Sequence, residues 1–306
     1  FRRVLFRSFI EGIGEAFIFP LLLSMNKAEL KNGGSEKIGL SLIEFGASLG
    51  GLTAGIIAGK FVNNPQQFLI IPISIAVLVG AFILMKLKSV VLTDIKYKSK
   101  GKVIKESNKA FISLLLMIFI IQIMFASIQV YLAYYMDAFS LSNLTGTVIS
   151  IEQILLAIGT ITPIFFMKKI HFKRTRNIIF LVLFSGTVIL SMQVSIYLSI
   201  LVLSIMAFFV GIGFTILNIN VSKVISTKIS HKLSVYTSIR YAGGFALSFI
   251  WGKMIEGYHE TGQSYANIFK RLYTFESIIV ICIFTIIVFM QKGVVIFKYE
   301  LVQKEL

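Results

Sequence analysis

The chain has 306 residues, 56% of them hydrophobic and only 14% charged, with a mean hydropathy of +0.86. One soluble core of this size cannot bury so much apolar side chain, so a water-soluble domain is excluded and a bundle of membrane helices is expected. The net charge of +16 would suit a nucleic-acid binder, but the basic residues lie between apolar stretches, where they face anionic lipid headgroups, so no nucleic-acid partner is expected.

A hydrocarbon core of about 30 Å needs about 20 apolar residues per helix. Nine stretches answer to this in chain order: residues 9–25, 38–59, 68–85, 111–136, 144–167, 178–192, 196–217, 233–255 and 272–290. Lysine and arginine mark the cytoplasmic side of each gap. Lys27, Lys31 and Lys37 follow the first stretch, and eight lysines from Lys86 to Lys109 follow the third. Lys168, Lys169, Lys173, Arg174 and Arg176 follow the fifth, and Lys223, Lys228 and Lys232 the seventh. The alternate gaps are poor in basic residues, holding Lys60, then none, then none, then Lys253, Lys270 and Arg271. The tail with Lys292, Lys298 and Lys304 is therefore expected inside the cell, in a bacterial plasma membrane, with codon-biased usage of lysine and isoleucine hinting at an AT-rich bacterial genome.

Residues 1–8, FRRVLFRS, resemble the in-frame translation of a sequencing-adaptor oligonucleotide and are expected not to belong to the fold. Residues 9–85 then form the last three helices of an N-terminal half, 86–110 a basic cytoplasmic linker, 111–290 a C-terminal six-helix half and 291–306 a cytoplasmic tail. This division follows from an internal repeat. Gly12-Ile13-Gly14 in the first stretch recurs as Gly211-Ile212-Gly213 in the seventh, and Gly50-Gly51 and Gly59-Lys60 recur as Gly243-Gly244 and Gly252-Lys253 at a constant offset of 193 residues. Six stretches separate the copies, so the first stands for the fourth helix of a six-helix half. The expected fold is all-α: a polytopic membrane bundle with nine of twelve helices in two six-helix pseudo-repeats. A fragment of that kind is not expected to transport on its own.

With these motifs the chain resembles the major facilitator superfamily over residues 9–306, and in particular its bacterial drug/proton antiporters. Gly12-Ile13-Gly14-Glu15-Ala16 followed by Pro20 is similar to the family's fourth-helix motif, with Ser8 where the family has arginine. Gly46, Gly50 and Gly55 resemble the glycine-rich fifth-helix motif of antiporters, with Gly51 in place of its proline. The loop 168–176 resembles the family's basic loop but lacks its glycine and aspartate. Small residues at such spacing also let helices approach closely in lipid, and Gly12, Gly14, Gly46, Gly50, Gly55, Gly211, Gly213, Gly243 and Gly244 are expected to pack helices.

Charges in the bilayer interior need a partner, a wet cavity or a proton. Glu15 and Glu11 lie one turn apart on the same face, and two carboxylates so close in a low dielectric suit a proton carrier. Glu152 is a third candidate, whereas Asp137 and Glu276 are expected at the interface. Glu44 and Arg240 hold nearly equivalent places in the two repeats. Each is a candidate for an ion pair that opens and closes, or for a static structural pair, and not necessarily with the other. The resemblance sets Glu44's helix against that of Glu152, and Arg240's against a helix outside the chain. It also implies a cavity lined by the first, fourth and seventh stretches, which carry Gln122, Gln129, Tyr131, Phe214, Asn218 and Asn220 as substrate candidates; helix packing is the alternative role for each. So few polar anchors fit a hydrophobic or amphiphilic cargo better than a sugar.

Other chemistry is not indicated. Gly59-Lys60 lacks the flanking residues of a phosphate-binding loop, the three histidines fall in separate gaps, and the single Cys282 lies inside an apolar stretch, so neither metal nor cofactor is expected. The expected function is a monomeric secondary transporter that exports a small hydrophobic or amphiphilic molecule in exchange for protons, with the proton gradient as energy source. Proton-coupled uptake or facilitated transport of a polar solute is the alternative. An integral-membrane enzyme or a non-transporting scaffold is more distant, because no cluster of catalytic side chains is evident.

Overall fold

The structure, a computed structural model, describes residues 36–61, 108–141, 144–166, 171–224, 229–260, 262 and 264–291. All regular structure among them is helical: α1 (Glu36–Phe61), α2 (Asn108–Ala138), α3 (Thr145–Phe166), α4 (Phe172–Ser191), α5 (Ile196–Val224), α6 (Ile229–Glu260) and α7 (Tyr265–Gln291). The stretches expected at 9–25 and 68–85, and with them Glu11, Gly12, Gly14 and Glu15, lie outside the described residues.

Among the described residues, five segments are long and apolar enough to cross a membrane: Asn108–Gln129, Thr145–Phe165, Phe172–Ser191, Ile196–Ser222 and Ala266–Met290. α1 contributes a shorter apolar segment, Ile38–Leu52. The stretch expected at 233–255 lies within α6 but does not qualify, because Arg240, Lys253 and Glu256 dilute its apolar run. The helices stop where side chains or backbone cannot continue them. Beyond α2, Ser140 turns to a φ of 58° and the Leu141 N–H closes on the Met136 carbonyl at 2.8 Å. Beyond α4, Gln193 takes a φ of 56°.

α5 is the hub. Every residue from Gly211 to Ile219 is buried, and the helix packs on α3, α2, α4 and α1. A helix that is apolar on all sides belongs inside a bundle. α4 and α7 instead turn large apolar side chains outward, including Leu181, Ile278, Ile286 and Phe289, a surface that suits lipid and not water.

Backbones meet most closely where α3 crosses α5. A Cβ on Gly159 would fall 2.1 Å from the Phe208 carbonyl oxygen, and one on Gly211 would fall 2.3 Å from that of Leu156. No side chain larger than hydrogen fits either point, and the Thr215 hydroxyl donates across the same crossing to the Thr160 carbonyl at 2.8 Å. Such small-residue crossings with interhelical hydrogen bonds are how helices associate in lipid, where apolar surface gives no preference for protein over acyl chain.

The glycines divide in two. Gly211, Gly213, Gly243 and Gly244 sit against neighbouring helices, Gly243 with a virtual Cβ 2.6 Å from the Phe119 carbonyl oxygen. Gly46 and Gly50 do not: a Cβ on either would meet nothing within 4 Å. The contact belongs to Gly51, against which the Gln153 side chain rests. The spacing of the motif identified the helix, but Gly51 lies on the face that α1 turns toward α3, and Gly46 and Gly50 do not. The side-chain surroundings of Gly55 are outside the described residues.

Candidate functional site

Inside this bundle, five polar or charged side chains from four helices converge. Glu44 on α1 is 2% exposed and Arg240 on α6 is 6% exposed. Both guanidinium Nη atoms donate to the Glu44 carboxylate, Nη1 to Oε1 and Nη2 to Oε2, the latter at 3.0 Å. A forked arginine–carboxylate pair of this kind carries two parallel N–H···O bonds and is fixed in direction as well as distance.

Each remaining polar atom of the pair has an answer. Asn218 on α5 donates its amide to Glu44 Oε1 at 2.8 Å, while its own oxygen accepts the Tyr236 hydroxyl at 2.9 Å. Arg240 Nε donates to Gln122 Oε1 on α2 at 3.3 Å. The Arg240 guanidinium lies over the Phe214 ring, its Cζ 4.1 Å from the centroid, and the edge of Phe125 meets that ring at a centroid distance of 5.6 Å. The negative face of the ring offsets part of the arginine charge.

Local sequence explains the assembly. Gly243 and Gly244 let α6 lie against α2, which brings Gln122 within reach of Arg240 one turn earlier in α6. Taking two charges out of water costs several kcal/mol per ion, and only close pairing with every lone pair and proton satisfied offsets it. Each nitrogen and oxygen of the pair has at least one partner, and the network is a structural latch that ties α1 to the α2–α5–α6 core.

Of the residues expected from sequence, the structure joins Glu44, Arg240, Gln122, Asn218 and Phe214. Arg240 finds its partner on α1, where the family resemblance had placed it opposite a helix outside the chain; the length of the arginine side chain spans the gap. Tyr236, fully buried, was not anticipated; it lies one turn before Arg240, a spacing that could have flagged it. Asn220 spends its amide on the Ile216 carbonyl one turn back, at 2.7 Å, and is not in the network. Gln129 is half-buried on α2 away from it, and the side chains of Tyr131 and Asp137 are outside the described residues.

Glu152 also stands apart. It is fully buried on α3, which packs on α1 as expected, and neither carboxyl oxygen has a hydrogen-bond partner. Gln153 beside it rests on Gly51, seven residues along α1 from Glu44, about 10 Å at the rise of a helix. Glu276 is a correction. It was expected at the membrane interface but is fully buried, with both oxygens unpartnered. The reason is helix length: α7 begins at Tyr265, so Glu276 sits three turns inside the helix and not one.

No curated protein and no solved structure matches the chain significantly. A family model described as Major Facilitator Superfamily matches residues 4–252, which take in α1 to α5 and the latch. With that match over most of its length, on a bundle of membrane-spanning helices, the chain belongs to the major facilitator superfamily and is an integral-membrane transporter.

Proposed function

We propose that the protein exports a small hydrophobic or amphiphilic molecule in exchange for protons, by alternating access between two halves of the bundle, in a bacterial plasma membrane. The observation that carries this reading is the Glu44–Arg240 latch. It ties α1, the described part of the N-terminal half, to α6 of the C-terminal half. The charge pattern of the loops puts it toward the cytoplasm. Rocking of the halves about a midplane site requires such a contact to break and re-form, and a forked, hydrogen-bonded pair holds one closed state without trapping a bare charge.

Two features favour an apolar cargo. Gln122 and Asn218, the amides best placed to anchor a polar solute, are already committed to the latch. Phe214 and Phe125 stand beside them. Buried acids with no basic partner, Glu152 among the described residues, support proton exchange as the driving reaction.

The test is transport by the whole gene product in proteoliposomes loaded with a lipophilic fluorescent dye. An inwardly directed proton gradient is expected to drive dye out, Glu44→Gln to weaken the coupling, and Glu15→Gln to abolish proton dependence. Dye movement down the proton gradient in place of against it would make the protein a symporter, and unchanged proton dependence in Glu15→Gln would remove that residue from the mechanism.

A further inference from the structure

Away from the latch, two acids are sealed in the bundle with nothing to neutralise them. Glu152 on α3 and Glu276 on α7 are each 0% exposed, and all four of their carboxyl oxygens lack a hydrogen-bond partner. Ser127 on α2 lies beside Glu276, and its hydroxyl too is buried and short of hydrogen-bond geometry. Tyr273, on the turn before Glu276 and fully buried, is within electrostatic reach of Glu276, Glu152 and Tyr135. Glu276, Ser127 and Tyr273 thus lie together where α7 meets α2, beside the ring contacts of Tyr273 with Trp251 and of Tyr135 with Phe269, and Glu152 on α3 is within reach of the same Tyr273.

Among the described residues no cation pairs with either acid. Beside Glu276 stand Ser127 on α2 and Tyr273 on its own helix, and Tyr273 is also within reach of Tyr135 on α2 and Glu152 on α3. The arginine of α4 that meets α7, Arg176, lies over Phe284, two turns further along α7. α6 meets α7 through Trp251, and its Lys253 is exposed and bonded to Glu256. Around Glu152, α1 offers Glu44, which Arg240 already holds. Tyr135 itself is engaged with Ser199 of α5 at 2.9 Å. Isolated carboxylate charges in such a setting would be far more costly than neutral acids with unmet hydrogen bonds.

We propose that Glu152 and Glu276 form a proton-holding site of the carrier, with Ser127 and Tyr273 as its polar walls. Each carboxyl keeps its proton while the region is closed. When it opens to water, the O–H bond breaks, the proton passes to water and the electron pair stays on the carboxylate. The site rests on the reading of the protein as a proton-driven carrier and gives that reading a second location, on the C-terminal six helices and separate from the latch. A proton suits it better than a metal ion, since two carboxyls and a hydroxyl fall short of the six or more oxygens that a hard cation gathers.

Infrared difference spectroscopy on the full chain in lipid nanodiscs at neutral pH tests this. The wild type is expected to show the carbonyl stretch of protonated carboxylic acids, shifting on transfer to deuterated buffer. Glu276→Gln and Glu152→Gln should each remove one component, and Glu44→Gln none. Absence of an acid band in the wild type overturns the proposal without recourse to any variant. So does a spectrum from which neither variant removes a component, or acid components of Glu152 and Glu276 that never exchange with deuterium, which would mark the acids as structural. A failed dye-export assay would leave an exchanging band standing, and a missing band would refute this site even where export is measured.

Discussion

Arg240 and Glu44 stand 196 positions apart in the chain, yet meet through two parallel hydrogen bonds with less than a tenth of either side chain exposed. One comes from α6 and the other from α1, so any motion that parts these helices must first undo a buried ion pair. The pair is a structural tie between the two helices and, on the alternating-access reading proposed above, also the latch that the motion releases; the two roles separate by mutation.

Arg240→Met strands a carboxylate in the bundle and is expected to destabilise the protein by about 3–5 kcal/mol, as for other broken buried pairs. Glu44→Met combined with Arg240→Met removes both charges and should restore most of that loss. Thermal unfolding in detergent reads both effects. A double variant no more stable than the single one would mean that the partners are not coupled. If the latch reading is right, the restored double variant still leaks dye across the membrane.

Tyr236→Phe deletes the hydroxyl that satisfies Asn218 Oδ1 and leaves that oxygen buried without a donor, a loss of about 1–3 kcal/mol. Tyr135→Phe is the control. Its hydroxyl meets Ser199, whose own hydroxyl can turn elsewhere, so a net loss of about 1 kcal/mol is expected. Equal losses would show that Asn218 re-pairs and that Tyr236 does not position the latch.

The glycines give a contrast within one motif class. Gly159→Ala and Gly211→Ala drive a methyl into backbone oxygens across the α3–α5 crossing, and overpacking of this kind costs about 1–3 kcal/mol. Gly46→Ala and Gly50→Ala meet nothing within 4 Å and should be neutral or stabilising by about 0.5–1 kcal/mol, because alanine is the better helix former. Denaturation midpoints in detergent decide it. Strong destabilisation at Gly46 or Gly50 would restore the packing role that the motif implied; lost transport with intact stability would place that contact in another conformation of the cycle.

Much of the site was legible from residue type and position. Glu44 and Arg240 stood out because a charge inside an apolar stretch needs a reason, and Gln122, Asn218 and Phe214 because they lie on helices that line the cavity in the family. Their convergence was not legible. Partner choice across 196 positions depends on how far one guanidinium reaches and on where Gly243 and Gly244 let α6 settle. Tyr236 and Gly159 escaped notice because a tyrosine or a glycine in a membrane helix is unremarkable until its neighbour is known.

The sequence by itself determined that this is a membrane bundle and where most of its helices run, because hydropathy and charge act residue by residue on partition between water and lipid; the superfamily came from the resemblance of its repeat and glycine motifs, and the family match over residues 4–252 shows it. Tertiary structure decided which charges are neutralised and which are not. It closed Arg240 on Glu44 and gave Gly51 the contact assigned to Gly46 and Gly50. By starting α7 at Tyr265, it sank Glu276 into the interior beside Ser127. A pair of charges or a pair of backbones interacts over a few ångströms in three dimensions, and no one-dimensional pattern specifies that separation.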